Sequence, residues 1–324
     1  MTIHTVSVIG CGAVGLYFGT RLKRGGLDVR FLLRSDYDTV KRRGVVVRSV
    51  EGDYRETIRA CNRPEDVRGS DLVLVCLKST ANDYMLDVLP KVLGPDSVVL
   101  LLQNGLGNEE CASRVVDARR ILGGVAFVCL NRTAPGEVRH TAFGYLKADC
   151  FSPGGDPESI ERVRQAFLRA GVGFHRAESL PYLKWEKLVW NVPFNGLSAS
   201  FGGVDTLSIL EHAPSKRLAG ELMQEVIDAA RSQSIRLDPK LVSDNLEKTL
   251  SMGPYRTSMC LDRLARRPLE AESIVGEPLR RAERKGVSLP RMQALYAHLS
   301  FYNRTAGFVE KADSRVYPNQ ENDS

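Results

Sequence analysis

Residues 10–15 read GCGAVG, and what flanks them narrows the fold more than any other feature of the chain. Thr5–Ile9 (TVSVI) is a short β-branched run, and LYFGTRLKRGG after Gly15 has helical periodicity. In a strand, G-x-G-x-x-G, helix arrangement each glycine has a physical task. Gly10 permits the tight turn, Gly12 lets the backbone approach a pyrophosphate, and Gly15 lets helix and strand pack closely. The opening turn of the helix, with Ala13 and Val14, would point unsatisfied N–H groups at the phosphates. The alternative is a glycine turn with no ligand.

The second strand is expected at Asp28–Leu33 (DVRFLL). Its end should carry the residue that reads the adenosine ribose, and a carboxylate there would accept from a 2′-hydroxyl. This chain offers Arg34 and then Ser35. A guanidinium suits a 2′-phosphate, so the expected cofactor is NADPH/NADP+. Asp36 is read as a helix N-cap, and is the one feature that favours NAD.

Gly44–Ala60 reads as a hairpin, and Ser70–Lys78 (SDLVLVCLK) as a buried strand of the kind parallel sheets contain. Lys78, at the strand's carboxyl end, is a candidate phosphate or ribose contact, with a solvated strand end as the alternative. A helix is expected over Asp83–Leu93 and a further buried strand over Ser97–Leu102. That strand runs into Gln103-Asn104-Gly105-Leu106-Gly107, an amide pair placed to hold a carboxamide or carbonyl. The other reading is a glycine turn with Asn104 left-handed. Strand patterns follow at Arg119–Asn131, Glu137–Lys147 and Val172–His175, with a helix at Pro157–Ala170.

From Ser179 the texture changes to long amphipathic patterns: Pro214–Ser232, Pro239–Leu250, Ser258–Arg266, Glu270–Lys285 and Arg291–Thr305. The expected organisation is an α/β Rossmann-type dinucleotide-binding domain over 1–177 and an all-helical domain over 178–309. Residues 310–324 form a polar tail expected to fray. A length of 324 residues accommodates two domains. The net charge of +6 is dispersed, which biases toward anionic small molecules and argues against nucleic acid. Seven cysteines without a C-x-x-C pair read as reduced structural thiols, and no metal is implied. With no leader and no membrane-length apolar run, a soluble cytoplasmic protein is expected, with no membrane partner.

Tyr182–Ser200 (YLKWEKLVWNVPFNGLSAS) carries the most unusual polar pattern. Lys187, Asn191 and Asn195 recur four apart on an apolar helix, fanning over roughly 80° and rising ~12 Å. A cation followed by two amides suits an anionic, carbonyl-bearing ligand. A solvated edge with Lys187 snorkelling is the plain alternative. Pro193 predicts a kink between the two asparagines.

Together these pieces resemble the ketopantoate reductase family over nearly the whole chain. GCGAVG, Arg34, Leu77-Lys78 and QNGLG at Gln103–Gly107 look like its cofactor domain. WEKLVWNVPFN looks like its central helix, TSMCLD places Ser258 on its substrate serine, and LEAESIVG places Glu270 on its substrate glutamate. The resemblance implies hydride transfer from NADPH to an α-keto acid, with Lys187 as general acid. It implies Asn195 and Ser258 on the substrate carboxylate, Asn191 and Asn104 positioning substrate and ring, and Glu270 accepting from a substrate hydroxyl. Read without the family, Ser258 is a helix N-terminal hydroxyl and Glu270 a solvated face. Glu225 also matches a family carboxylate, though a solvent-facing glutamate explains it equally. Glu272 stands where the family usually has Asp. Reduction of ketopantoate to pantoate, a step toward pantothenate and coenzyme A, is the leading expectation. The alternatives are another α-keto acid, or a non-catalytic NADP(H)-binding sensor. A homodimer is admitted by the sequence, not required by it.

Overall fold

The structure, a computed structural model, describes residues 2–316 and the side chains of residues 2–305. It divides into two compact units between Lys184 and Trp185, inside a helix, where the sequence places the boundary at 177.

The first unit is built on one ten-stranded sheet. Its strands are β1 (Thr5–Ile9), β2 (Asp28–Leu32), β3 (Val45–Ser49), β4 (Tyr54–Glu56), β5 (Arg59–Cys61), β6 (Leu72–Val75), β7 (Val98–Leu101), β8 (Ile121–Ala134), β9 (Glu137–Cys150) and β10 (Gly173–Arg176). The order β5-β2-β1-β6-β7-β8 is parallel throughout, and β9 returns antiparallel to β8. β9 is long enough to pair twice: its start carries β3 and its second half carries β10.

Helices cover both faces of this sheet: α1 (Ala13–Arg24), α2 (Tyr37–Arg43), α3 (Asn82–Val92), the short α4 (Asn108–Ala112) and α5 (Pro157–Arg169). The period-2 alternation of each buried strand explains why. In β6, Leu72 and Leu74 join a core with Leu16, Phe18 and Leu22 of α1 and Phe167 of α5. Val73 and Val75 of the same strand face a second core with Met85, Val88 and Leu89 of α3. This is the doubly wound, Rossmann-like arrangement expected of the motif. The hairpin expected over Gly44–Ala60 is β3–β4 only; Arg59–Cys61 leaves it to extend the parallel sheet beside β2.

The second unit is helical. Its helices are the remainder of α6 (Leu180–Ser200), then α7 (Thr206–Glu211), α8 (Ala213–Ser232), α9 (Leu241–Ser251), α10 (Ser258–Leu264), α11 (Glu277–Glu283) and α12 (Pro290–Val316). The hub is α8, which packs against α7, α9, α11 and α12. α6 continues as helix on both sides of Pro193, which gives up one backbone donor there. Three departures from expectation stand out. The pattern at Glu270–Lys285 is a π-helical turn, Glu272–Gly276, leading into α11. α7, too short for a periodic signal, was not foreseen. α12 continues to Val316, so the polar tail expected from residue 310 starts inside a helix, and residues 317–324 lie outside the described residues. No described helix is long and apolar enough to cross a membrane.

Candidate active site

In the first unit the glycine loop meets its physical requirements. Gly10 has φ +92°, and a Cβ there would lie 2.4 Å from the Leu77 backbone nitrogen. At Gly15 a Cβ would lie 2.3 Å from the Gly10 carbonyl oxygen, so nothing larger fits between α1 and the loop. Gly12 differs: no atom of the described residues lies within 4 Å of a Cβ built there. That open side, at the N-cap of α1 where no side chain caps the first N–H groups, is the space and the donor set a pyrophosphate needs. Ala13 and Val14 supply the opening N–H groups of that helix.

Arg34 follows β2 and is exposed, with its guanidinium carbon 5.5 Å from the centre of the Tyr84 ring on α3. Tyr84 lies on a distant stretch of chain, and nothing in the sequence linked the two. Asp36, read as an N-cap, precedes α2 but its side chain makes no cap hydrogen bond. It is buried and accepts instead from Arg132 Nη1 at 3.0 Å. The stronger charge-assisted bond outcompetes an N-cap contact.

Lys78 precedes the 3-10 turn Ser79–Ala81 after β6 and is partly buried. Gln103 and Asn104 follow β7, with Gly105 (φ +83°) and Gly107 (φ +86°), not Asn104, taking the left-handed conformations. A polar network fixes this loop. Gln103 Nε2 donates to Asn82 Oδ1 at 2.9 Å, Asn82 Nδ2 to Asn108 Oδ1 at 3.0 Å, and Asn108 Nδ2 to the Asn104 carbonyl at 2.9 Å. Lys184, in the first turn of α6, donates to the Gln103 carbonyl at 3.3 Å and pairs with Glu109. Sequence reasoning missed Lys184 and Glu109, whose partnership spans unconnected segments. Gln103 Oε1 is buried with no hydrogen-bond partner among the described residues, a site that a ligand donor would satisfy.

In the second unit, Lys187 is partly buried, with Nζ 5.3 Å from the centre of the Trp190 ring. Asn191 is buried and its Nδ2 has no partner among the described residues. An unmet buried amide is costly, and a ligand acceptor would satisfy it. Asn195 Oδ1 accepts from the Met259 backbone N–H at 3.2 Å and from Ser258 Oγ at 3.3 Å. Asn195 and Ser258, far apart in sequence, are thus adjacent. Thr257 is the N-cap of α10, accepting from Cys260 N–H, so the capping role does not fall to Ser258. Glu270 is buried, 5% exposed, and is not the solvated face that composition allowed. Glu225 is not solvent-facing: from α8 it accepts the backbone N–H groups of Arg291 at 3.1 Å and Met292 at 2.8 Å, at the start of α12. Glu272 is exposed, paired with Arg280 and accepting from Tyr296 Oη at 2.7 Å.

Two family profiles match the chain: ketopantoate reductase PanE/ApbA over residues 6–153, and its C-terminal counterpart over residues 180–303. The chain belongs to the ketopantoate reductase family. A curated 2-dehydropantoate 2-reductase from Nostoc sp. is 36% identical over 313 residues, covering 94% of this chain and 98% of that protein. The crystal structure of 2-dehydropantoate 2-reductase from Geobacter metallireducens superposes with a TM-score of 0.88 at 40% identity, covering 91% of this chain and 99% of the other. A D-mandelate dehydrogenase solved with NADH and anilino(oxo)acetate shares the fold at 20% identity, with a TM-score of 0.85 over 94% and 99% of the two chains. As a ketopantoate reductase family member the protein is an oxidoreductase of the 2-dehydropantoate 2-reductase type that uses a nicotinamide dinucleotide.

Proposed function

We propose that the protein reduces 2-dehydropantoate to pantoate with NADPH, a step toward pantothenate and coenzyme A. The observation that carries this is the 36% identity, over 94% of the chain, to a curated 2-dehydropantoate 2-reductase. Bound NADPH supplies the hydride. The chain's own residues would then do four things. The glycine loop and α1 hold the pyrophosphate, Arg34 and Lys78 the adenosine side, and Gln103 and Asn104 the nicotinamide side. Lys187 polarises the keto oxygen and protonates the alkoxide, so its charge acts where negative charge develops. Asn195 spends its carbonyl oxygen on Met259 and Ser258, so its Nδ2, with the Ser258 hydroxyl, is offered to the substrate carboxylate. Buried Asn191 and Glu270 bind the remaining polar groups of the substrate, Glu270 by accepting from its hydroxyl, which an apolar pocket could not select.

The seven free cysteines support a reducing, cytoplasmic setting. A homodimer is the proposed assembly, by analogy with the Staphylococcus aureus relative whose structure is described as a dimeric ketopantoate reductase.

Steady-state rates on a panel of α-keto acids test the substrate. A higher kcat/KM on an acid lacking the ketopantoate hydroxyl would move the assignment to another keto acid. Lys187→Ala should lower kcat by roughly 10²–10⁴-fold, as loss of a general acid does. Cofactor binding without turnover in the wild type, or a rate within a few fold of wild type in the variant, would leave Lys187 without its chemistry.

A further inference from the structure

The carboxylate of Asp36 lies between β2 and α2, two residues past Arg34, in the stretch where an acidic group would favour NADH and oppose a 2′-phosphate. It is 4% exposed, and both oxygens are engaged. Oδ1 accepts from Ser35 Oγ at 3.0 Å. Oδ2 accepts from Arg132 Nη1 at 3.0 Å and from the Gly136 backbone N–H at 3.3 Å. Arg132 is near the end of β8 and Gly136 in the turn to β9, so both partners come from the far side of the sheet order.

That turn is itself held in place. Gly136 has φ +72°, a Cβ on it would lie 2.9 Å from Val40 of α2, and its carbonyl accepts from Val46 N–H at 2.9 Å. Arg34, by contrast, has no ion-pair partner among the described residues and rests on the Tyr84 ring.

We propose that Arg132 is a specificity-determining residue for the dinucleotide: by neutralising Asp36 it lets Arg34 meet a 2′-phosphate without an opposing carboxylate. The proposal rests on the NADPH reading above. Arg132 acts through Asp36, and is a positioning residue. Without it, the Asp36 charge either repels the 2′-phosphate or draws Arg34 off the tyrosine ring, and both weaken discrimination. Hydrogen bonds from Ser35 and Gly136 orient the carboxylate but do not cancel its charge.

The test is calorimetric titration of the purified protein with 2′,5′-ADP and with ADP, which needs no turnover. Wild type should prefer 2′,5′-ADP. Arg132→Leu should weaken 2′,5′-ADP about tenfold while leaving ADP within about twofold. Adding Asp36→Asn should restore the preference, and ADP affinity held within about twofold in every variant is the readout that a merely structural role for Arg132 would not preserve. Should Arg132→Leu fail to fold, Arg132→Gln keeps a donor without the charge and reads the same ratio. A preserved ratio in the single variants, or no rescue in the double variant, overturns the proposal. The two readings fail separately. A wild type with no preference for 2′,5′-ADP removes the NADPH reading. A preference that Arg34→Ala abolishes and Arg132→Leu leaves intact removes only this inference.

Discussion

Lys184 Nζ lies 2.5 Å from Glu109 Oε1, and each side chain is 5% exposed. The pair ties the start of α6 to α4, and Gly123 makes room for it: a Cβ on Gly123 would come within 2.8 Å of the same carboxylate oxygen. Removing one partner strands the other charge in a dry site. Lys184→Met should therefore cost about 3–5 kcal/mol, and Lys184→Met with Glu109→Leu should recover much of it. Urea unfolding of the single and double variants decides this. A single variant as stable as wild type would mean that water reaches the pair.

Gly12 and Gly15 should fail in opposite ways. Gly15→Ala drives a methyl into the Gly10 carbonyl at 2.3 Å, so it should lower stability by more than 1 kcal/mol. Gly12→Ala meets no atom of the described residues within 4 Å, so its melting temperature should hold while dinucleotide affinity falls at least tenfold. Thermal melts paired with fluorescence titration of the cofactor separate the two. If Gly12→Ala binds as wild type does, the pyrophosphate lies elsewhere.

Glu225 is expected to be structural. Its carboxylate receives two backbone N–H groups at the start of α12 and also pairs with Arg291. Glu225→Ala should cost about 1–3 kcal/mol by leaving those donors unmet. At temperatures where the variant stays folded, kcat should remain within a few fold of wild type. A large kcat loss at unchanged stability would instead make Glu225 part of the chemistry.

Asp71 should contribute acid sensitivity. Burial alone would raise its carboxyl, but bonds from the His4 and Thr5 N–H groups and the Thr5 hydroxyl outweigh that and leave the pKa lowered. The depressed folded pKa means that its stabilisation is fully present above the unfolded value, about 3.9 for an aspartate, and is lost as pH falls through the folded one. Asp71→Asn should be less stable than wild type at pH 7, with the gap closing below about pH 4. Melting temperatures across pH 2–7 measure it, and a gap that stays constant would refute the assignment.

Short-range patterns made both units legible. Alternating apolar residues in TVSVI and LVLV, glycine spacing in GCGAVG and the helical stripe of Lys187, Asn191 and Asn195 are local properties, governed by backbone geometry that neighbours in sequence share. They were enough to expect the doubly wound sheet, the helical second unit and the family. α7 and the π-helical turn at Glu272–Gly276 were not, because short or irregular helices carry too few residues for periodicity to register.

What the sequence by itself determined was which residues could serve a dinucleotide and a keto acid, since each such role depends on residue type and local spacing. What only the tertiary structure decided was which charges remain available to a ligand. Asp36 is silenced by Arg132, Glu109 by Lys184, and Glu225 by the start of α12, while Arg34 is left exposed on Tyr84. Each of those partners is brought in by a strand or helix remote in sequence. The strength of a charge depends on its burial and its counter-ion, and neither can be read from the residues on either side of it.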